Sequence, residues 1–134
     1  MELRTGHRLF LVRPRQRRDD FAQWLLVLRH RCPRIPVALL LDENSSHLAR
    51  VNQTLAEQLR IHLFCLPKRS PHLNPMDHLW RWGKQHLAAN RQEPDIYTLA
   101  RWFVDVLRSL STEQSLRLAG VLSPRFWLRR VLSN

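Results

Sequence analysis

Two carboxylates, Asp42 and Asp77, stand where this 134-residue chain could do chemistry. The apolar run Val37-Ala38-Leu39-Leu40-Leu41 stops at Asp42, and Asn74-Pro75-Met76-Asp77-His78-Leu79-Trp80 reads as the opening of a helix. Ligands of open α/β sheets sit beyond the carboxyl ends of the strands, so an acid at the end of an apolar strand is a site candidate. Asp77 falls at the third position of its helix and becomes a catalytic partner if the two acids meet in space. Each acid also has a plain structural reading. Asp42 can close a turn or cap the helix that follows, and Asp77 can stabilise a helix start in the manner of a capping box. Between them lies a stiff basic loop, Pro67-Lys68-Arg69-Ser70-Pro71-His72-Leu73.

The elements that must position these acids can be read from spacing. Residues 17–31 predict a helix, with Phe21, Trp24, Leu25 and Leu28 on one face. Asp19 and Asp20 in its first turn and Arg29, His30 and Arg31 in its last complement the helix dipole. Residues 35–41 read as a strand, and their unbroken apolar character predicts burial on both faces. Residues 45–59 read as one helix capped by Ser45 or Ser46, with Leu48, Val51, Leu55 and Leu59 inward. Residues 61–66 are the next strand, and the order strand, helix, strand predicts a parallel pair. Asn74 as N-cap and Pro75 at the first position open a helix to about residue 89, with Met76, Leu79, Trp80, Gly83 and Leu87 inward.

A further helix is expected over 94–110, with Ile96, Leu99, Ala100, Phe103, Val106, Leu107 and Leu110 inward. Ser111 and Gln114 resemble a capping box that opens a short helix stopping at Gly120. Residues 124–132 suggest a last helical turn. A short strand is expected at 7–12, and Arg13, Arg15, Arg17 and Arg18 form a basic run. The chain reads as one domain, 1–134, with 111–134 as a helical extension.

Composition narrows the partners. A formal charge of +11 and a pI near 11.5 in so short a chain point to polyanions, with nucleic acid first. A basic subunit docking on an acidic protein is the alternative. The basic residues do not line one amphipathic helix, which argues against a membrane surface. Cys32 and Cys65 lack metal-ligand spacing, and Cys65, inside an apolar run, is expected to be a buried thiol. That usage suits a reducing cytoplasm, nucleoid-associated when DNA is bound. No signal peptide or bilayer-spanning run is visible.

Around the two acids the chain resembles the catalytic domain of mariner-type DDE transposases, including their bacterial insertion-sequence branch. Leu41-Asp42-Glu43-Asn44-Ser45-Ser46-His47 keeps the Asp and the His of the family's strand-end motif Asp-Asn-Ala-x-x-His. Leu66-Pro67-Lys68-Arg69-Ser70-Pro71-His72-Leu73-Asn74-Pro75-Met76-Asp77-His78-Leu79-Trp80 follows its second motif, in which Pro71, Asn74, Pro75 and Trp80 accompany the acid. The 34 residues between Asp42 and Asp77 match the separation typical of the group. The resemblance covers roughly residues 5 to 110.

It implies an α/β, RNase H-like fold, here incomplete at the N-terminus, with a short mostly parallel sheet and flanking helices. It implies metal-dependent cleavage and joining of DNA phosphodiesters by two Mg²⁺ or Mn²⁺ ions about 3.5–4 Å apart. Asp42 would bridge the ions and Asp77 would bind one of them, while Lys68, Arg69 and Lys84 would contact phosphate.

The chain departs from the family in three ways. The first of the family's three carboxylates lies upstream of the Asp42 motif, and no equivalent is recognisable here. The family's N-terminal helix-turn-helix region is also missing. The chain therefore reads as the C-terminal part of a transposase whose missing N-terminal part is expected from a partner chain, and the unpaired sheet edge this would leave favours a homodimer. Glu43 replaces the usual Asn and adds charge beside Asp42. The competing expectation is a non-catalytic basic module that binds nucleic acid regardless of metal. A zinc or hydrolase site from His47, His72, His78 and Asp77 is disfavoured, because these spacings match no helical zinc motif.

Overall fold

The computed structural model describes residues 1–13, 18–88 and 95–133. Part of the basic run (residues 14–17), the first residue of the first helix, the last of the helix carrying Asp77 and Pro94 lie outside the described residues. The chain divides into two compact units, Arg13–Asn74 and Met1–Val12 with Pro75–Asn134.

The first unit is built on a parallel strand pair. Helix α1 (Arg18–Arg31) buries Phe21 and Leu25 and ends before Pro33, with acids in its first turn and bases in its last. Strand β1 (Val37–Leu41) pairs in parallel with β2 (Ile61–Cys65), Val37 opposite Ile61 and Leu41 opposite Cys65. One face of the pair, carrying Val37, Leu39, Leu41, Ile61 and Leu63, packs with Phe21, Leu25 and Ala56. The other face carries Ala38, Leu40, His62 and Phe64, and Phe64 is 54% exposed. Burial on both faces is therefore not observed, because the helices of this unit cover one face of a sheet that has two strands among the described residues. Cys65 is exposed rather than buried, because it ends β2 beyond the packed cluster, and Cys32 is half-buried.

The helix expected over 45–59 is two, α2 (Ser45–Leu48) and α3 (Arg50–Gln58). Ala49 breaks the path with ψ 129°. Its carbonyl accepts from Asn52 and Gln53 N–H and so opens the second helix. The break frees carbonyls of α2, and two side chains take them up. Asn52 Nδ2 donates to the Ser46 carbonyl at 2.7 Å, and Gln53 Nε2 to that of Leu48 at 3.0 Å. Fully buried Asn52 also donates to the Arg18 carbonyl at 2.9 Å, which ties α1 to the break.

Arg29 does more than complement a dipole. Its guanidinium donates to the carbonyls of Cys32, Ile35, Leu59 and Arg60. One planar fork thus satisfies the turn after α1, the approach to β1 and the end of α3.

In the second unit, α4 (Pro75–Ala88), α5 (Ile96–Ser109), α6 (Thr112–Leu118) and α7 (Arg129–Leu132) pack with the N-terminal segment. Residues 7–12 form no strand. Gly6 turns the chain at φ 77°, Arg8 donates to the Leu110 carbonyl at 2.7 Å, and Phe10 meets Trp80 edge-on. The segment is held by side chains, and its backbone pairs with no described strand.

Gly83 brings α4 close to α5, since a Cβ there would lie 2.7 Å from Phe103 Cε2. Helix α5 is capped by Asp95 and buries Val104 and Leu107. Its expected inward face holds only in part: Ile96 is 77% exposed, because the helix packs through its later turns. The Ser111–Gln114 capping box forms as expected. Gly120 at φ 76° ends α6, with Val121 N–H on the Leu116 carbonyl. Phe126 and Leu132 then pack on Leu116, Ala119 and Val121. Among the described residues no helix is long and apolar enough to cross a membrane.

Candidate active site

Asp42 directly follows β1, and its side chain is 64% exposed. Its Oδ1 lies 3.0 Å from Nδ1 of His47. An ionised carboxylate can only accept, so this nitrogen carries the proton that it donates. His47 is itself buried, with its ring centroid 4.6 Å from that of Phe21. The imidazole is thus fixed by the core while the carboxylate it holds faces solvent.

The five-residue spacing between acid and histidine has a local cause. The Asn44 side chain accepts from Ser46 N–H at 2.9 Å and from Ser46 Oγ at 2.7 Å, and so starts α2 immediately after the strand. One helical turn then returns His47 to the strand end. The cap is Asn44, not Ser45 or Ser46.

Glu43 turns toward the basic loop, where Lys68 Nζ lies 3.4 Å from Oε2. The lysine is largely exposed, so the pair is screened and contributes at most about 1 kcal/mol. Arg69 is exposed and holds a left-handed φ of 57°. Pro71 opens a single 3-10 turn, Pro71–Leu73.

Asp77 lies in the first turn of α4 and is half-buried. The Asn74 N–H donates to the Pro71 carbonyl at 3.1 Å. The position of Asp77 is set by its helix. Pro75 begins α4, Leu79 is fully buried, and Trp80 stacks on Phe103 with centroids 5.0 Å apart and planes 13° apart. Lys84 is exposed, two turns beyond Asp77.

The structure thus brings Asp42 to His47 and Glu43 to Lys68 within Arg13–Asn74, whereas Asp77, Trp80 and Lys84 belong to the other unit. Phe21 under His47 was legible only as an apolar helix position. The hard oxygens of Asp42 and Asp77 suit Mg²⁺ or Mn²⁺ in type. In number they fall short: among the described residues no group of three or more His, Cys, Asp or Glu is placed to hold a metal ion.

Known proteins resemble this arrangement. A profile of the DDE superfamily endonucleases matches residues 1–100. The catalytic domain of the Mos1 mariner transposase matches with a TM-score of 0.69 at 21% identity, over 92% of this chain and 65% of that one. The same domain solved with raltegravir and Mg matches with a TM-score of 0.68 at 22% identity, over 89% and 63%. Its counterpart with Mn gives a TM-score of 0.68 at 22% identity, over 89% and 64%. The chain therefore spans less than two thirds of the length of these structures. No curated protein matches this sequence. The structural likeness identifies the mixed helix–strand architecture as the RNase H-like fold of that transposase domain. With the profile covering most of its length, the chain belongs to the DDE superfamily endonucleases.

Proposed function

We propose that this chain carries part of a transposase-type DNA endonuclease and strand-transfer site in which Asp42 and Asp77 are the metal-binding acids. The observation that carries this reading is an exposed Asp42 at the end of a parallel strand, held by buried His47, in a chain of the endonuclease family. Asp42 and Asp77 would hold a divalent cation through their carboxylate oxygens, as implied by family membership and by the Mg and Mn in the Mos1 structures. When bound, such an ion supplies charge neutralisation at the scissile phosphate and lowers the pKa of an attacking hydroxyl.

The chain's own residues supply position. His47 orients the Asp42 carboxylate through the Nδ1–H bond. Helix α4 presents Asp77 from its first turn, and Lys68, Arg69 and Lys84 contact phosphate oxygens of the DNA.

The test is nicking of supercoiled DNA with Mg²⁺ or Mn²⁺, for the wild type, Asp42→Ala and Asp77→Ala. Metal-dependent nicking lost in both variants supports the reading, and nicking that survives both substitutions sinks it. A second reading, a binding module without catalysis, is favoured by the +11 charge and the shortage of metal ligands among the described residues. It predicts no nicking by any form, with salt-sensitive DNA binding unchanged by either substitution.

A further inference from the structure

We propose that the open edge of β1 is a docking site for β1 of a second copy of this chain, paired antiparallel about Leu39 into a four-stranded sheet β2–β1–β1–β2. Among the described residues the sheet has two strands, so β1 has a side with no strand beside it. The register fixes which backbone groups lie there. Leu41 stands opposite Cys65, and its carbonyl accepts from Leu66 N–H at 2.7 Å. The N–H and C=O of one strand residue point the same way, and that direction alternates along the strand. Val37, Leu39 and Leu41 therefore bond to β2, while Ala38 and Leu40 turn both groups to the open side. No hydrogen bond reaches those four groups from the described residues, and Ala38 is exposed.

The edge is bounded at both ends. Pro36, the preceding residue of the same phase, has no N–H to donate. Asp42, the following one, has its carbonyl taken by Asn44 N–H at 2.9 Å. Ala38 and Leu40 thus offer two donors and two acceptors in a row, and that set is complementary to itself. An antiparallel copy with Ala38 opposite Leu40 exchanges both bonds at each of the two pairs and leaves none of these groups over. A shift of two residues sets Leu40 opposite Pro36, or Ala38 opposite Asp42, and a partner is lost either way. Charge selects the same occupant and direction. Residues 35–41 carry no charge, so nothing of the net +11 lies on the edge itself. Arg34 precedes the run, and Asp42 and Glu43 follow it. Antiparallel pairing sets the basic end of one copy against the acidic end of the other, whereas parallel pairing sets like against like. Leu39 then meets Leu39 of the second copy, and Leu40 stands between Phe64 of its own sheet and Ala38 of the copy. The pairing does not rest on the DNA reading, and a chain that fails the nicking test leaves it standing.

Sedimentation equilibrium of the full chain without DNA, from about 1 to 200 µM, tests the pairing. The wild type should pass from one 16.0 kDa chain to two as its concentration rises. Ala38→Lys places a charge at an exposed position on the edge and should weaken dimerisation about 10-fold or more, with an unchanged circular dichroism spectrum. Ala38→Pro removes an outward N–H that β2 does not use and should do the same. Cross-linking reads the register, in a background carrying Cys32→Ser and Cys65→Ser. Oxidation should join two copies of Leu39→Cys, whose Cα atoms lie about 4.5 Å apart across the two-fold axis. It should not join Val37→Cys, whose copies lie roughly 14 Å apart. A wild type that stays monomeric throughout overturns the pairing and leaves the edge to a strand of another protein. A dimer that survives both Ala38 variants, or cross-linking at Leu39→Cys no faster than at Val37→Cys, overturns it as well.

Discussion

Asp42 and Asp77 reach their places by different means. Asp42 sits on an exposed strand end and is held by a side chain, His47, which is itself wedged on Phe21. Asp77 is carried by the backbone of a helix whose inner face is locked by Leu79, Trp80 and Gly83. One acid depends on a single hydrogen bond within its unit, the other on the packing of two helices. Point changes should therefore affect the two acids separately.

The largest effect is expected from Leu25→Ala in the core beneath β1. Leu25 is fully buried, and its truncation should cost about 2–5 kcal/mol in a denaturant melt. Arg29→Met should follow, at about 1.5–3 kcal/mol, since it removes charge-assisted bonds to four carbonyls of the same unit. Both changes should perturb the environment of His47 in NMR spectra before that of α4. An equal response of both regions would mean that the units do not separate energetically.

Gly83→Ala sharpens the other side. The added methyl must displace the Phe103 ring, at about 1–3 kcal/mol, against a gain of up to about 1 kcal/mol in helix propensity. A net loss confined to α4 and α5 is expected, and a stabilised protein would show that Phe103 yields freely.

The smallest effect is electrostatic. N–H bonds from Tyr97, then the hydroxyl and N–H of Thr98, hold the Asp95 carboxyl below its usual pKa. Its contribution is present above the unfolded pKa of about 3.9 and is lost as pH falls through the lower folded value. Asp95→Asn should flatten that part of the stability profile below about pH 4, and an unchanged profile would remove the cap from the account.

Much of this fold was legible because its signals are local. The caps at Ser111–Gln114, the proline start of α4, the apolar face of α1 and the strand–helix–strand order all follow from neighbours in sequence. The sequence also marked Asp42 and Asp77 as site candidates, while their ligand roles rest on the family motifs. What sequence spacing missed depends on distant partners. The break at Ala49 is stabilised by Asn52 and Gln53 reaching back to α2 carbonyls, which no periodicity encodes. The four acceptors of Arg29 come from three segments. An unbroken apolar strand looks the same whether one face or two are covered, so the exposed side of Phe64 and the exposed thiol of Cys65 could not be read. The segment 7–12 has strand composition, yet its backbone finds no second strand among the described residues.

Arg29 has one more consequence. A strand apolar on both faces, as β1 is, carries weak information about its phase, because a slip of one residue still turns apolar side chains to the core. Arg29 grips the Ile35 carbonyl just before β1 and the Leu59 and Arg60 carbonyls just before β2. It therefore sets both strands to a common zero. A slip of one residue would carry Asp42 about 3.3 Å along the sheet, away from the loop that begins after Cys65. A cation at the opposite end of the strand thus acts as the ruler by which the acid is placed.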